Sequence, residues 1–161
     1  MSEKEFWDLI SPLNPSILGF AIRLLHDPEK AKDVHQETLE KLWNRRQKLD
    51  SERNIKSLAL TITKNKCIDM IRRQGRYVEQ SIDEFQMHTR QDFESKDMVD
   101  QIKRRMKQLP TKQQMVIEMK DFQGFSNQEI SEIMEMTVNT VRVNLSRARK
   151  YLTEQLKHEW Q

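Results

Sequence analysis

One cysteine, Cys67, in 161 residues leaves no internal disulfide framework and suits a reducing compartment. Glycine and proline are scarce, at three and four residues, so the chain has few breakers and reads as mostly helical. No apolar run approaches the roughly 18 residues that a membrane-spanning helix needs, and no signal-type apolar segment follows Met1. The expectation is a cytoplasmic protein with no membrane insertion of its own. His26, His35, His88 and His158 show no ligand spacing with one another or with Cys67. A glycine-rich phosphate loop and a nucleophile elbow are also lacking. No metal, cofactor or catalytic residue is therefore expected, and the chain does not read as an enzyme. A thiol enzyme pairing Cys67 with His35 is the remaining catalytic alternative, although a cysteine among apolar helical neighbours is ordinarily inert.

Charge is abundant, at 33% of residues, and its distribution says more than the net value of +3. Residues 1–74 carry a net +3, residues 75–97 a net −3 and residues 98–161 again +3. The middle stretch, Gly75 to Asp97, lacks sustained helical periodicity. Its Val78, Ile82, Phe85 and Phe93 are too scattered to build a core. It reads as a flexible acidic linker, with a surface helix as the alternative. The expected fold is all-α: two small helical domains, residues 1–74 and 98–161, the second containing a helix-turn-helix.

That motif lies between Gly124 and Leu152. Ser126 followed by Glu129 is a capping-box pair that starts one helix, with Ile130, Ile133 and Met134 on its apolar side. Glu135 and Met136 break it, and Thr137 can cap the next. Val138, Val141, Leu145, Ala148 and Leu152 then step at helical period. The opposite side presents Asn139, Thr140, Val143, Ser146, Arg147 and Lys150, with Arg142 and Arg149 at its flanks. Val138 to Lys150 holds four basic residues and no acidic one. Such a helix suits a DNA major groove; a pair of amphipathic helices with a solvated basic face is the plainer reading.

The first block parses into four helices: Lys4 to Leu13, Pro15 to His26, Asp27-Pro28 to Arg46, and Ile55 to Gln74, with a polar loop from Gln47 to Asn54. Apolar residues of the fourth helix fall on more than one side (Leu58 and Ile62; Leu60, Cys67 and Ile71), which predicts a central position. Its exit gathers Arg72, Arg73 and Arg76, suited equally to phosphate contact and to favourable cations at a helix C-terminus. In the second block, Met98 to Leu109 and Thr111 to Phe122 precede the helix-turn-helix. Met115, Met119 and Phe122 are expected inward, with Gly124 closing the helix.

Four segments, in order, resemble the extracytoplasmic-function (ECF) group of bacterial RNA polymerase sigma factors. Asp27 to Leu39 (DPEKAKDVHQETL) is similar to the family's D-x-E-D-A-x-D-x-x-Q-E-x-F. Ile62-Thr63-Lys64-Asn65 with Ile68-Asp69 and Arg72-Arg73 resembles I-A-R-N-x-x-I-D-x-x-R-R. Leu109-Pro110 to Val116 resembles L-P-x-x-x-R-x-V, and Phe125 to Arg149 resembles the family's helix-turn-helix signature. The resemblance implies region 2 and region 4 domains in a transcription initiation factor. Core polymerase would be bound through Asp33, Gln36, Glu37 and Glu40 on its largest-subunit clamp helices, and region 4 would touch its flap. Asn54, Lys64, Asn65, Lys66, Arg72, Arg73 and Arg76 would serve −10 recognition and melting. Thr140, Arg142, Val143, Ser146, Arg147 and Lys150 would serve the −35 element. The acidic linker would thread toward the polymerase active-site channel. An anti-sigma factor, commonly membrane-spanning in the family, is a further implied partner.

Departures from the pattern are Glu135, where the family often has glycine, Ser131 for alanine, Leu39 for phenylalanine and Leu58 for tryptophan. Val143-Asn144 replaces a frequent Ser-Arg pair, which implies a different −35 preference. The runner-up function is a helix-turn-helix transcriptional regulator that acts without being a polymerase subunit.

Overall fold

Ser2, Asp27, Asn54, Ser126 and Thr137 each cap the helix that follows with a side-chain oxygen. The computed structural model describes residues 1–52, 54–75 and 98–159. Arg76 and all of the acidic stretch after Gly75 lie outside the described residues. Every element among the described residues is helical, and the chain divides into two units, Met1–Tyr77 and Val78–Gln161.

In the first unit, Ser2 Oγ accepts from the Glu5 amide at 3.1 Å while the Glu5 carboxylate accepts from the Ser2 amide at 3.3 Å. This capping box starts α1, Glu3–Ile10. A 3-10 turn, Ser11–Leu13, leads into α2, Asn14–Leu25, whose first turn holds Pro15, where a missing amide hydrogen costs nothing. His26 ends α2 in the left-handed region at φ 56°. Asp27 then caps α3, Pro28–Asn44, accepting from the amides of Glu29 and Lys30 at 3.0 and 3.3 Å. The segment expected as a polar loop opens instead with a helical turn, α4, Arg46–Leu49. Its one large apolar residue explains the difference: Leu49 is drawn into the core and only 2% exposed. Asn54 caps α5, Ile55–Arg73, its Oδ1 accepting from the Ser57 amide at 3.0 Å.

The core of this unit joins Phe6, Ile10, Ile17, Leu42, Leu49, Ala59 and Ile62. Each large aliphatic or aromatic side chain so buried stabilises by about 1.5–3 kcal/mol. Phe6 meets Trp43 edge to face, ring centres 5.0 Å apart. Helix α5 packs against both α2 and α3 and is buried on several sides at Ala59, Leu60, Ile62, Thr63, Cys67 and Ile71. Its two-sided apolar pattern thus corresponds to a central helix. The polar Thr63 is accommodated because its hydroxyl donates to the Ala59 carbonyl at 2.7 Å.

The second unit starts with α6, Met98–Met106, and α7, Thr111–Ile117. Helix α7 continues as a π-helical turn, Glu118–Phe122, where the Gln123 amide donates to the Glu118 carbonyl at 3.0 Å. Gly124 follows at φ +77°, a conformation that a Cβ would disfavour, and lets the Phe125 amide reach the Met119 carbonyl at 2.9 Å. The wide turn explains a second departure from the sequence pattern. Met115 and Met119 are buried as expected, but the change of period turns Phe122 out to 47% exposure. Helix α8, Asn127–Met134, starts at the Ser126–Glu129 capping box, with bonds of 3.1 and 2.9 Å. After a three-residue break comes α9, Val138–Glu159.

Candidate nucleic-acid interface

Helix α9 separates its residues by face. Val141, Leu145, Ala148 and Leu152 are buried against α7 and α8. Asn139, Thr140, Arg142, Val143, Ser146, Arg147 and Lys150 are all exposed. At about 100° per residue, those exposed positions share one arc of about 160° opposite the buried stripe. The sequence-predicted −35 set is thus brought together on one open face. Among the described residues, Arg142, Arg147 and Lys150 have no acidic partner within ion-pair distance. A cationic helical surface of this width matches a major groove about 12 Å across.

Two contacts hold that helix in place. Arg149 is engaged within the unit, donating through Nη2 and Nε to the two carboxylate oxygens of Asp121 at 2.6 and 3.4 Å. No sequence signal relates residues 28 positions apart, and the π-helical turn is what places Asp121 there. Tyr151 donates its hydroxyl to Gln108 Oε1 at the α6–α7 corner. Burial raises the Tyr151 phenol above its ordinary value, partly opposed by the positive Arg105, so it remains a protonated donor. The break before α9 is set by Glu135 in the left-handed region (φ 54°, ψ 50°). Thr137 Oγ1 then accepts from the Thr140 amide at 3.0 Å.

In the first unit, Asp33, Gln36, Glu37 and Glu40 are all exposed and recur on α3 at spacings of three and four. They form one polar, acidic strip. On α5, Asn65, Arg72 and Arg73 are exposed, and Lys66 is half-buried with Nζ 4.0 Å from Glu37 Oε2. That ion pair joins the acidic strip of α3 to the basic side of α5. Lys64 departs from the expectation: it is only 4% exposed, on the side of α5 that also carries the buried Leu60, Cys67 and Ile71. Its side chain is thus enclosed within the unit rather than displayed on its surface. Asn54 is half-buried and uses its Oδ1 as the α5 cap. Arg76 falls outside the described residues.

Neither a metal cluster nor an active thiol emerges from these elements. Among the described residues no three His, Cys, Asp or Glu side chains gather as a metal site would require. Cys67 is fully buried, and burial pushes its thiol up to about 12. No helix among the described residues is long and apolar enough to cross a membrane.

Comparison with known proteins gives a consistent result. Residues 9–77 match the family described as Sigma-70 region 2, and residues 100–152 match Sigma-70, region 4. RNA polymerase sigma factor YlaC of Bacillus subtilis (strain 168) is 25% identical over 156 residues, 92% of this chain and 90% of that protein. RNA polymerase sigma-H factor of Pseudomonas aeruginosa is 27% identical, spanning 96% of this chain and 88% of its own. Among solved structures, the sigma factor RpoE of Bartonella quintana, crystallised with the anti-sigma factor NepR, aligns with a TM-score of 0.77 at 27% identity, covering 96% of this chain and 98% of that one. CnrH, solved with the cytosolic domain of CnrY, aligns at 0.69 and 22% identity over 98% of this chain and 90% of its own, a likeness of fold.

Proposed function

Because the chain belongs to the sigma-70 family, in the ECF form that pairs region 2 with region 4, and functions as an RNA polymerase sigma factor, we propose how its residues divide that work. Residues 98–161 recognise the −35 element, with the open face of α9 in the major groove. Thr140, Arg142, Val143, Ser146, Arg147 and Lys150 meet bases or adjacent phosphates. Residues 1–74 bind core polymerase through the Asp33, Gln36, Glu37 and Glu40 strip, whose charge suits a basic partner surface. Asn54, Asn65, Lys66, Arg72 and Arg73 act at the −10 element, where unpaired bases are read and phosphates held. The observation that carries this division is the pairing of an exposed face on α9, whose charged residues from Asn139 to Lys150 are all basic, with a separate acidic strip on α3.

An anti-sigma factor is a fitting partner, since a relative of this chain was crystallised with one. A membrane-bound form of that partner, itself outside the bilayer where it meets this chain, accords with the family's habit. The chain acts in the cytoplasm, where polymerase and DNA are, and contributes binding rather than catalysis. The test is transcription in vitro with purified chain, bacterial core polymerase and genomic DNA fragments. Specific transcripts that require the chain are expected, and Arg147→Ala should lower −35-dependent output about tenfold, within the ~1–3 kcal/mol of one bidentate arginine contact. No transcripts, with tight duplex binding by the chain alone, would establish an ordinary regulator instead.

A further inference from the structure

Large hydrophobic side chains exposed among the described residues are Trp7, Ile22, Phe122 and Val143, and of these Val143 alone stands on α9. It occupies the middle of the open face, one turn from Thr140 on one side and from Arg147 on the other. A β-branched side chain in a helix holds essentially one χ1 rotamer, so its two methyl groups are presented already ordered. Polar neighbours on that side are engaged locally. The Thr137 hydroxyl donates to Thr140 Oγ1 at 2.9 Å, and Asn144 Nδ2 donates to the Thr140 carbonyl at 2.9 Å. An isopropyl group cannot hydrogen-bond a base edge. The one apolar group that the major groove displays is the C5-methyl of thymine.

We propose that Val143 is a specificity-determining residue that reads the C5-methyl group of a thymine in the −35 element. This deepens the sigma reading and rests on it. Contact between the two removes apolar surface from water on both partners, while a cytosine or a purine at that position leaves the valine facing polar edges. The residue therefore selects by what it cannot bond as well as by what it touches.

The experiment uses holoenzyme assembled from the full chain and bacterial core polymerase, at one fixed salt concentration. A promoter pool with randomised −35 positions is transcribed with the native chain, with Val143→Ser and with Val143→Ala. Native holoenzyme is expected to enrich thymine at one position, and Val143→Ser to lose that enrichment while keeping the others. Deoxyuridine in place of that thymine removes only the methyl group. It should weaken native holoenzyme binding about fourfold, the worth of one buried methyl-sized group, and leave Val143→Ser holoenzyme unaffected. Equal binding of thymine and uracil promoters by native holoenzyme, or a thymine preference retained in both variants, overturns the assignment while the sigma function stands. Absence of any chain-dependent transcript overturns both.

Discussion

Cys67 shows how far burial decides the chemistry of a residue. Its thiol, pushed up to about 12, stays protonated throughout the physiological range and supplies no thiolate. Native chain at neutral pH should therefore resist iodoacetamide and label only after denaturant is added; rapid labelling of folded protein would contradict its burial. His35 behaves in the opposite direction. Burial lowers its affinity for a proton, and its Nε2 meets Asn14 Oδ1 at 2.9 Å, linking α3 to α2. The folded ring stays neutral at pH values where the unfolded ring, with its ordinary value of about 6.5, takes up a proton. Its contribution is thus complete above about 6.5 and declines as pH falls below that. Melting temperature should drop as pH falls below about 6.5, and His35→Gln should flatten the profile. An unchanged slope in the variant would assign the effect to other groups.

Among the elements, the helix-turn-helix carries one strained junction and one strong cap. Glu135 adopts the left-handed conformation that costs a non-glycine residue about 1–2 kcal/mol. Glycine would remove that strain and return about 0.5–1 kcal/mol of it as unfolded-chain entropy. Glu135→Gly should therefore raise the melting temperature of the second unit by a few degrees, read by differential scanning calorimetry. A decrease would mean that the Glu135 side chain stabilises the turn by more than the strain. Ser126→Ala removes the acceptor for the Glu129 amide and should cost about 1 kcal/mol, measured by urea unfolding. Both junctions were legible in the sequence, because capping boxes and helix breaks are local. The outward turn of Phe122 was not, since nothing in a run of seven or eight residues announces a π-helical turn.

For the whole molecule, binding surfaces should be separable from stability. Glu37 is half-exposed, and its ion pair with Lys66 is worth at most about 1 kcal/mol. Gln36→Ala with Glu37→Ala should therefore leave the melting temperature nearly unchanged. The same pair should weaken core polymerase binding about tenfold, a loss of ~1.4 kcal/mol, read by fluorescence anisotropy of labelled chain against core enzyme. Normal binding would remove the α3 strip from the interface. A lowered melting temperature with unchanged affinity would make the pair structural.

The sequence by itself determined the all-helical class, the central α5, the capped helix-turn-helix and the face of α9, because each follows from periodicity and neighbours within one or two turns. Family motifs, short and in order, added the function. Tertiary structure alone decided which cations remain available. Lys64 and Arg149 look like their neighbours on paper, yet one is enclosed within its unit and the other held by Asp121. Leu49 likewise became core only when a hydrophobic interior existed to receive it. Charge and hydropathy are properties of a residue, whereas exposure and partnership are properties of packing, and packing joins positions that no local pattern connects.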